Sequence, residues 1–107
     1  MNAKYWQRGE TLDYTATQAV TNGAVVNLNT RIGVAGGDIA AGATGAVHVV
    51  GVFELDKAAV AITLGAAVYY DATSDNITTT PSGNTPAGYA VAAAAASDTM
   101  VLVKLLG

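Results

Sequence analysis

The chain has no cysteine, one histidine and two prolines, and only 12% of its 107 residues are charged. Without cysteine there is no disulfide framework, no thiolate nucleophile and no zinc–thiolate site, and assembly in a reducing cytosol is unimpeded. One histidine, His48, cannot build a histidine-based metal site, and no carboxylate can be assigned to orient it as a catalytic base. Basic residues are also few: Lys4, Arg8, Arg31, Lys57 and Lys104 are scattered along a chain of net charge −3. Phosphate backbones are bound by clustered Lys and Arg, so no nucleic-acid partner is expected. No apolar run approaches the roughly 18 residues of a membrane-spanning helix, so no membrane partner is expected either. The opening MNAKYWQRGE lacks the apolar stretch of a secretory signal.

Nucleotide chemistry is missing as well. The Gly-rich stretches GGDIAAG and GATGAV contain no basic residue, and no Gly-Lys pair occurs anywhere. Neither G-x-x-x-x-G-K-[ST] nor G-x-G-x-x-G is present to cradle phosphates. His48, within AVHVV, reads as an ordinary strand histidine. Asp38, Asp71, Asp75 and Asp98 lie in or beside turns, where Asp bonds its own backbone. Asp71, Asp75 and Asn76 sit close together, but their spacing does not match a twelve-residue calcium loop. Glu54 and Asp56 flank Leu55 and read as a polar rim or an interface pair. The inventory predicts no enzyme and no cofactor.

What is abundant is small. Hydrophobic residues make up 51% of the chain, much of it Ala and Val, with 12 Gly, one Trp and one Phe. Such residues favour short strands and turns. A core of Ala and Val buries little area per residue at roughly 25 cal/mol per Å², so burial against a partner is expected.

TLDYTAT (11–17) alternates as a half-buried strand does, with Leu12, Tyr14 and Ala16 on one face. Thr21-Asn22-Gly23 predicts a turn, followed by a hairpin of AVVNL (24–28) and RIGVA (31–35). AVHVVGVFEL (46–55) reads as one strong strand with a bulge at Gly51. DKAAVAITLG (56–65) could hold one short helical turn. AAVYYDA (66–72) and ITTT (77–80) predict another hairpin, and PSGNTPAG (81–88) a loop. YAVAAAA, from the Ala tract at 87–96, and TMVLVKLL (99–106) predict a final pair of strands.

The chain also repeats itself. VTNGAVV (20–26) is echoed by ITLGAAV (62–68), and Gly45 and Gly88 open the next strand of each half. The expected fold is all-β: a small β-barrel or β-sandwich of short strands, built from two related β-units of about 40 residues packed face to face. Residues 1–10 form an extended N-terminal arm and residues 11–107 a single β domain. No helix longer than about two turns is expected.

The arm holds the only Trp and two of the five basic residues. Lys4, Tyr5, Trp6, Arg8 and Glu10 are the candidate interface, since Trp and Arg are enriched among interface anchors. Either the arm reaches a neighbouring subunit, another copy or a different protein, or Trp6 caps the open end of its own barrel.

Several stretches carry a family resemblance. YWQRGETLDYTA (5–16), with Arg8-Gly9-Glu10, the GVFEL strand at 51–55 and Tyr-Tyr-Asp-Ala-Thr at 69–73 resemble the phage and prophage domain-of-unknown-function family numbered 2190. The resemblance extends over nearly the whole chain. That family is described as capsid cement or head decoration proteins. It sometimes carries a recombinase label, which the missing phosphate loop contradicts here. The resemblance implies a structural protein on the virion, made in the host bacterial cytoplasm and bound to the outer capsid surface. Its implied partner is the major capsid protein, whose subunit contacts it would stabilise. By analogy with other head-decorating proteins the protein is expected to be a homo-oligomer, a trimer in preference to a dimer. The alternative is a virion-displayed carbohydrate- or host-surface-binding module, with Tyr69 or Tyr70 lining an aromatic groove.

Overall fold

Short runs of β-branched and aromatic residues, punctuated by Gly, Asn and Asp, set the architecture. The computed structural model describes residues 1–106. In the first half lie β1 (Thr11–Thr15), β2 (Val25–Asn27), β3 (Ile32–Ala35) and β4 (Thr44–His48). The second half contains β5 (Val52–Asp56), β6 (Ala67–Asp71), β7 (Asn76–Thr78), β8 (Thr85–Ala90) and β9 (Met100–Leu105). No helix occurs among the described residues. The strands form two antiparallel sheets, ordered β1-β4-β3-β2 and β5-β9-β8-β6-β7. The fold is therefore an open two-sheet sandwich and not a closed barrel, and each sheet keeps two edge strands.

Four local expectations change. The apolar run at 46–55 is two strands in two sheets, with the chain crossing between them at Gly51, whose φ of 127° a side chain would rarely allow. Residues 56–65 form no helical turn; they follow bends anchored by the bridge of Ile62 to Ala94. β8 begins at Thr85 inside the expected loop, and its Pro86 falls opposite Tyr69, where the register shifts between Val68 and Tyr69. That irregularity accommodates a residue with no N–H to give to the ladder. The Ala tract leaves the sheet after Ala90, because alanines offer little side chain to bury, and turns through Ala95–Asp98.

The repeat is real at the backbone level. Val20 bridges Ile39 as Ile62 bridges Ala94. Gly23 N donates to Ala35 O at 2.9 Å and Gly65 N to Ala90 O at 2.8 Å. Gly36 N donates to Ala46 O and Val91 N to Leu102 O, each at 3.0 Å. The register agrees: Val34 faces His48 in one sheet, and Tyr89 faces Lys104 in the other. Thus β1, β2, β3 and β4 correspond to β5, β6, β8 and β9, and the hairpin strand β7 is an addition at the sheet edge. This mapping corrects one detail of the sequence echo. Gly88 is the counterpart of Gly33, opposite Val68 and Val26 respectively, and not of Gly45.

The units stack head to tail. Ile32 and Val34 of the first sheet join Leu55, Val68, Tyr70, Val101 and Val103 of the second in the main core. The opposite face of the first sheet has its own small core of Ala16, Val26, Ala35, Ile39 and Val47. Each fully buried Val or Ile contributes about 1.5–3 kcal/mol. The outer face of the second sheet is left open.

Candidate interface: the arm and the outer face of the second sheet

Residues 1–9 have no regular structure, and the arm's large side chains are exposed: Tyr5 is 81% and Trp6 85% accessible. Trp6 therefore does not cap its own domain. Lys4 and Arg8 are exposed on the same segment. Glu10, also exposed, fixes the start of the domain, its carbonyl accepting a 3.0 Å bond from Val49 N. All five sequence-nominated residues are exposed side chains of this one segment.

A second exposed surface was not foreseen. Val52 and Tyr89 flank Lys104 across β5, β9 and β8, and Leu102 lies one residue pair further along. Val52 is 52%, Tyr89 41% and Leu102 39% accessible. The Lys104 ammonium stands 5.9 Å from the Tyr89 ring centroid, a cation–π contact. The only sequence signal for this face was the alternation in TMVLVKLL, which did not say which set of residues would lack a cover.

Several chemistry-bearing residues are committed to structure. His48 packs its ring 6.0 Å from that of Phe53. Asp71 accepts bonds from the Thr73 and Ser74 amides, closing the β6–β7 turn. Asp75 accepts a 2.6 Å bond from the Tyr70 hydroxyl. Burial pushes the Tyr70 hydroxyl up to about 12, with the Asp75 hydrogen bond and the charges of Asp75 and Asp71 adding to it. Tyr70 is 8% accessible and lines a shallow cleft, and Tyr69 is half-buried. Lys57 is buried, its ammonium bonded to the Ala95 carbonyl at 2.9 Å and the Asp98 carbonyl at 3.0 Å. No group of three His, Cys, Asp or Glu side chains among the described residues could hold a metal ion. Among the described residues no helix is long and apolar enough to cross a membrane.

Two shallow clefts of about 170 and 130 Å³ meet at Glu54 and Met100. Asp56, Tyr70, Asp75 and Asn76 line the larger, and Asp98 and Leu102 the smaller. In sequence Glu54 and Asp56 read as a polar rim or an interface pair; the tertiary fold adds Asp75, Asn76 and Asp98 from distant segments.

An open sandwich with several polar groups tied into turns, an exposed aromatic-basic arm and an uncovered sheet face defines a small binding or structural module. The phage cement protein family matches residues 6–105, and the chain belongs to that family. It is accordingly a phage structural protein, in a family whose description implies association with the major capsid protein and a place on the virion. No curated protein and no solved structure matches the chain.

Proposed function

We propose that this protein is a capsid cement that binds the outer surface of the phage head and stabilises contacts between major capsid subunits. The family match over residues 6–105 carries this reading. The surface supports it: a 107-residue chain presents Tyr5, Trp6, Val52, Tyr89 and Leu102 to solvent. Those side chains provide apolar area to bury on association, while the core of Val, Ile and Ala is modest. Mechanically, each bound copy is a clamp that must be broken before subunits separate, so the assembled head is stabilised by mass action. The protein acts as a homo-oligomer, a trimer in preference to a dimer, and the arm residues Lys4, Tyr5, Trp6, Arg8 and Glu10 make inter-subunit contacts. Their positive charge complements acidic surface on the neighbour.

Cosedimentation with heads of the parent phage tests the proposal. The protein is expected to pellet with heads at a fixed stoichiometry and to raise the temperature at which they release DNA. Failure to cosediment, with a folded protein, would overturn it.

A further inference from the structure

The two units differ at one place in a way that points to an occupant. In the first unit Thr15 and Thr44 lie opposite each other, and their hydroxyls share a 2.8 Å hydrogen bond. The corresponding pair in the second unit is Asp56 and Met100. Here a carboxylate stands beside a thioether, and the exposed side-chain carboxylates of Asp56 and Glu54 have no hydrogen-bond or ion-pair partner among the described residues. The two clefts meet at this position, and their lining includes four carboxylates, Glu54, Asp56, Asp75 and Asp98, but no Lys, Arg or His. The nearby Lys57 ammonium is committed to the Ala95 and Asp98 carbonyls. The Tyr70 hydroxyl is spent on Asp75. Asn76 Oδ1, on the wall of the larger cleft, is buried and accepts no hydrogen bond. A buried acceptor without a donor is costly, at about 1–3 kcal/mol. The clefts thus offer acceptors and apolar surface, Met100 and Leu102, and ask for donors with positive charge and an apolar body.

The same chain carries that complement. The arm before Glu10 has two basic side chains, two aromatic ones and no acid. Its nine residues reach about 30 Å when extended, comparable with the 34 Å middle dimension of the molecule. We infer that the arm of one copy seats in the Glu54–Met100 clefts of a second copy, with Lys4 and Arg8 meeting Glu54, Asp56 and Asp75 and with Tyr5 or Trp6 against Met100 and Leu102. The contact is heterologous, arm to cleft, so successive copies close into a ring when the rotation permits. Arg8 is suited to the larger cleft, because a guanidinium presents several donors in a fixed fork. This inference deepens the proposed function by naming the partner of the arm, and it rests on the homo-oligomer reading there.

The test is charge exchange in the full-length protein, read by sedimentation velocity across concentration. Lys4, Arg8, Glu54 and Asp56 are all exposed, so the substitutions leave the core untouched, and thermal unfolding of each variant checks this. Lys4→Glu with Arg8→Glu is expected to weaken self-association by about tenfold or more, and Glu54→Arg with Asp56→Arg to do the same. The fourfold variant regains association, because the charges are again opposite. Trp6 emission shifts to the blue on association in the wild type and in the fourfold variant only. A protein that stays monomeric at all concentrations, reversals without effect, or a fourfold variant as weak as either pair would each overturn the inference. Cosedimentation with heads separates its failure from that of the cement reading. A monomer that still pellets with heads sinks the arm-to-cleft contact alone. A charge-rescued oligomer that ignores heads sinks the cement reading alone.

Discussion

Val34 and Tyr89 occupy the same place in the two β-units, each opposite the residue that follows the inner valine of the neighbouring strand. Val34 is 5% accessible and Tyr89 41%. The backbone plan is shared; the cover differs. The first unit buries this face against the second unit's inner side, where Ile32 and Val34 enter the main core. The outer face of the second unit meets no further sheet among the described residues. Val52, Tyr89 and Leu102 on that face are left exposed. At the matching positions of the first unit Thr11, Asp13 and Thr15 are polar and exposed.

The strongest way to break the comparison is at the glycines the units share. A methyl group at Gly88 would lie 1.9 Å from the Lys104 carbonyl oxygen, which is backbone held in the β8–β9 ladder. At Gly33 it would meet a methyl of Val47 at 2.3 Å, a side-chain rather than a backbone atom, with the His48 carbonyl oxygen further off at 3.1 Å. Gly88→Ala is therefore expected to cost more than about 4 kcal/mol, and Gly33→Ala about 1–3 kcal/mol. Urea unfolding of the two variants checks the order. If Gly33→Ala were the more damaging, the two units would not share the close strand approach in the way their registers indicate.

A smaller effect sharpens what the added strand β7 does. It brings Asp75 to Tyr70, and no equivalent hydrogen bond exists at Leu28, the corresponding position of the first unit. Tyr70 in the folded protein holds its proton up to about 12, against 10.0 when unfolded. The folded state thus binds this proton more tightly. Its contribution is fully present below pH 10 and is lost as pH rises towards about 12. Stability is expected to fall across that window, and Tyr70→Phe to make the fall shallower. An unchanged slope in the variant would mean that Tyr70 is not the group responsible.

The alternation in TLDYT and MVLVKL was readable because each strand keeps one face on a core, and a period of two then survives in the residues. The repeat was readable in Thr21–Gly23 and Thr63–Gly65 because both turns use the same backbone bonds, Ala24 N to Thr21 O and Ala66 N to Thr63 O. The split of 46–55 was hidden: a strand that changes sheets keeps its alternation, and only Gly51 marks the crossing. Pro86 misled in the other direction, since a proline tolerated at a register shift looks in sequence like a loop proline. The concentration of aromatic and basic residues at 1–10 was legible from composition alone. The clefts were not, because Glu54, Asp75 and Met100 come from different strands and turns and meet only in the folded sheet.

The smallest expected effect on the fold is also the one that separates arm from domain. Trp6 at 85% accessibility and Tyr5 at 81% bury almost nothing against their own chain. Hydrophobic stabilisation scales with area removed from water, so there is little here to lose. The first backbone tie of the domain is at Glu10, whose carbonyl holds Val49 N at 3.0 Å. Deleting residues 2–8 leaves that bond in place. The truncated monomer is expected to unfold within about 0.5 kcal/mol of the full chain, the range of surface changes away from packed features. Self-association and head binding are the properties expected to fall. A monomer clearly destabilised by the deletion would place Trp6 against its own domain in solution and return the arm to a structural role. A truncated protein unchanged in stability, association and head binding would make the arm a passive tail.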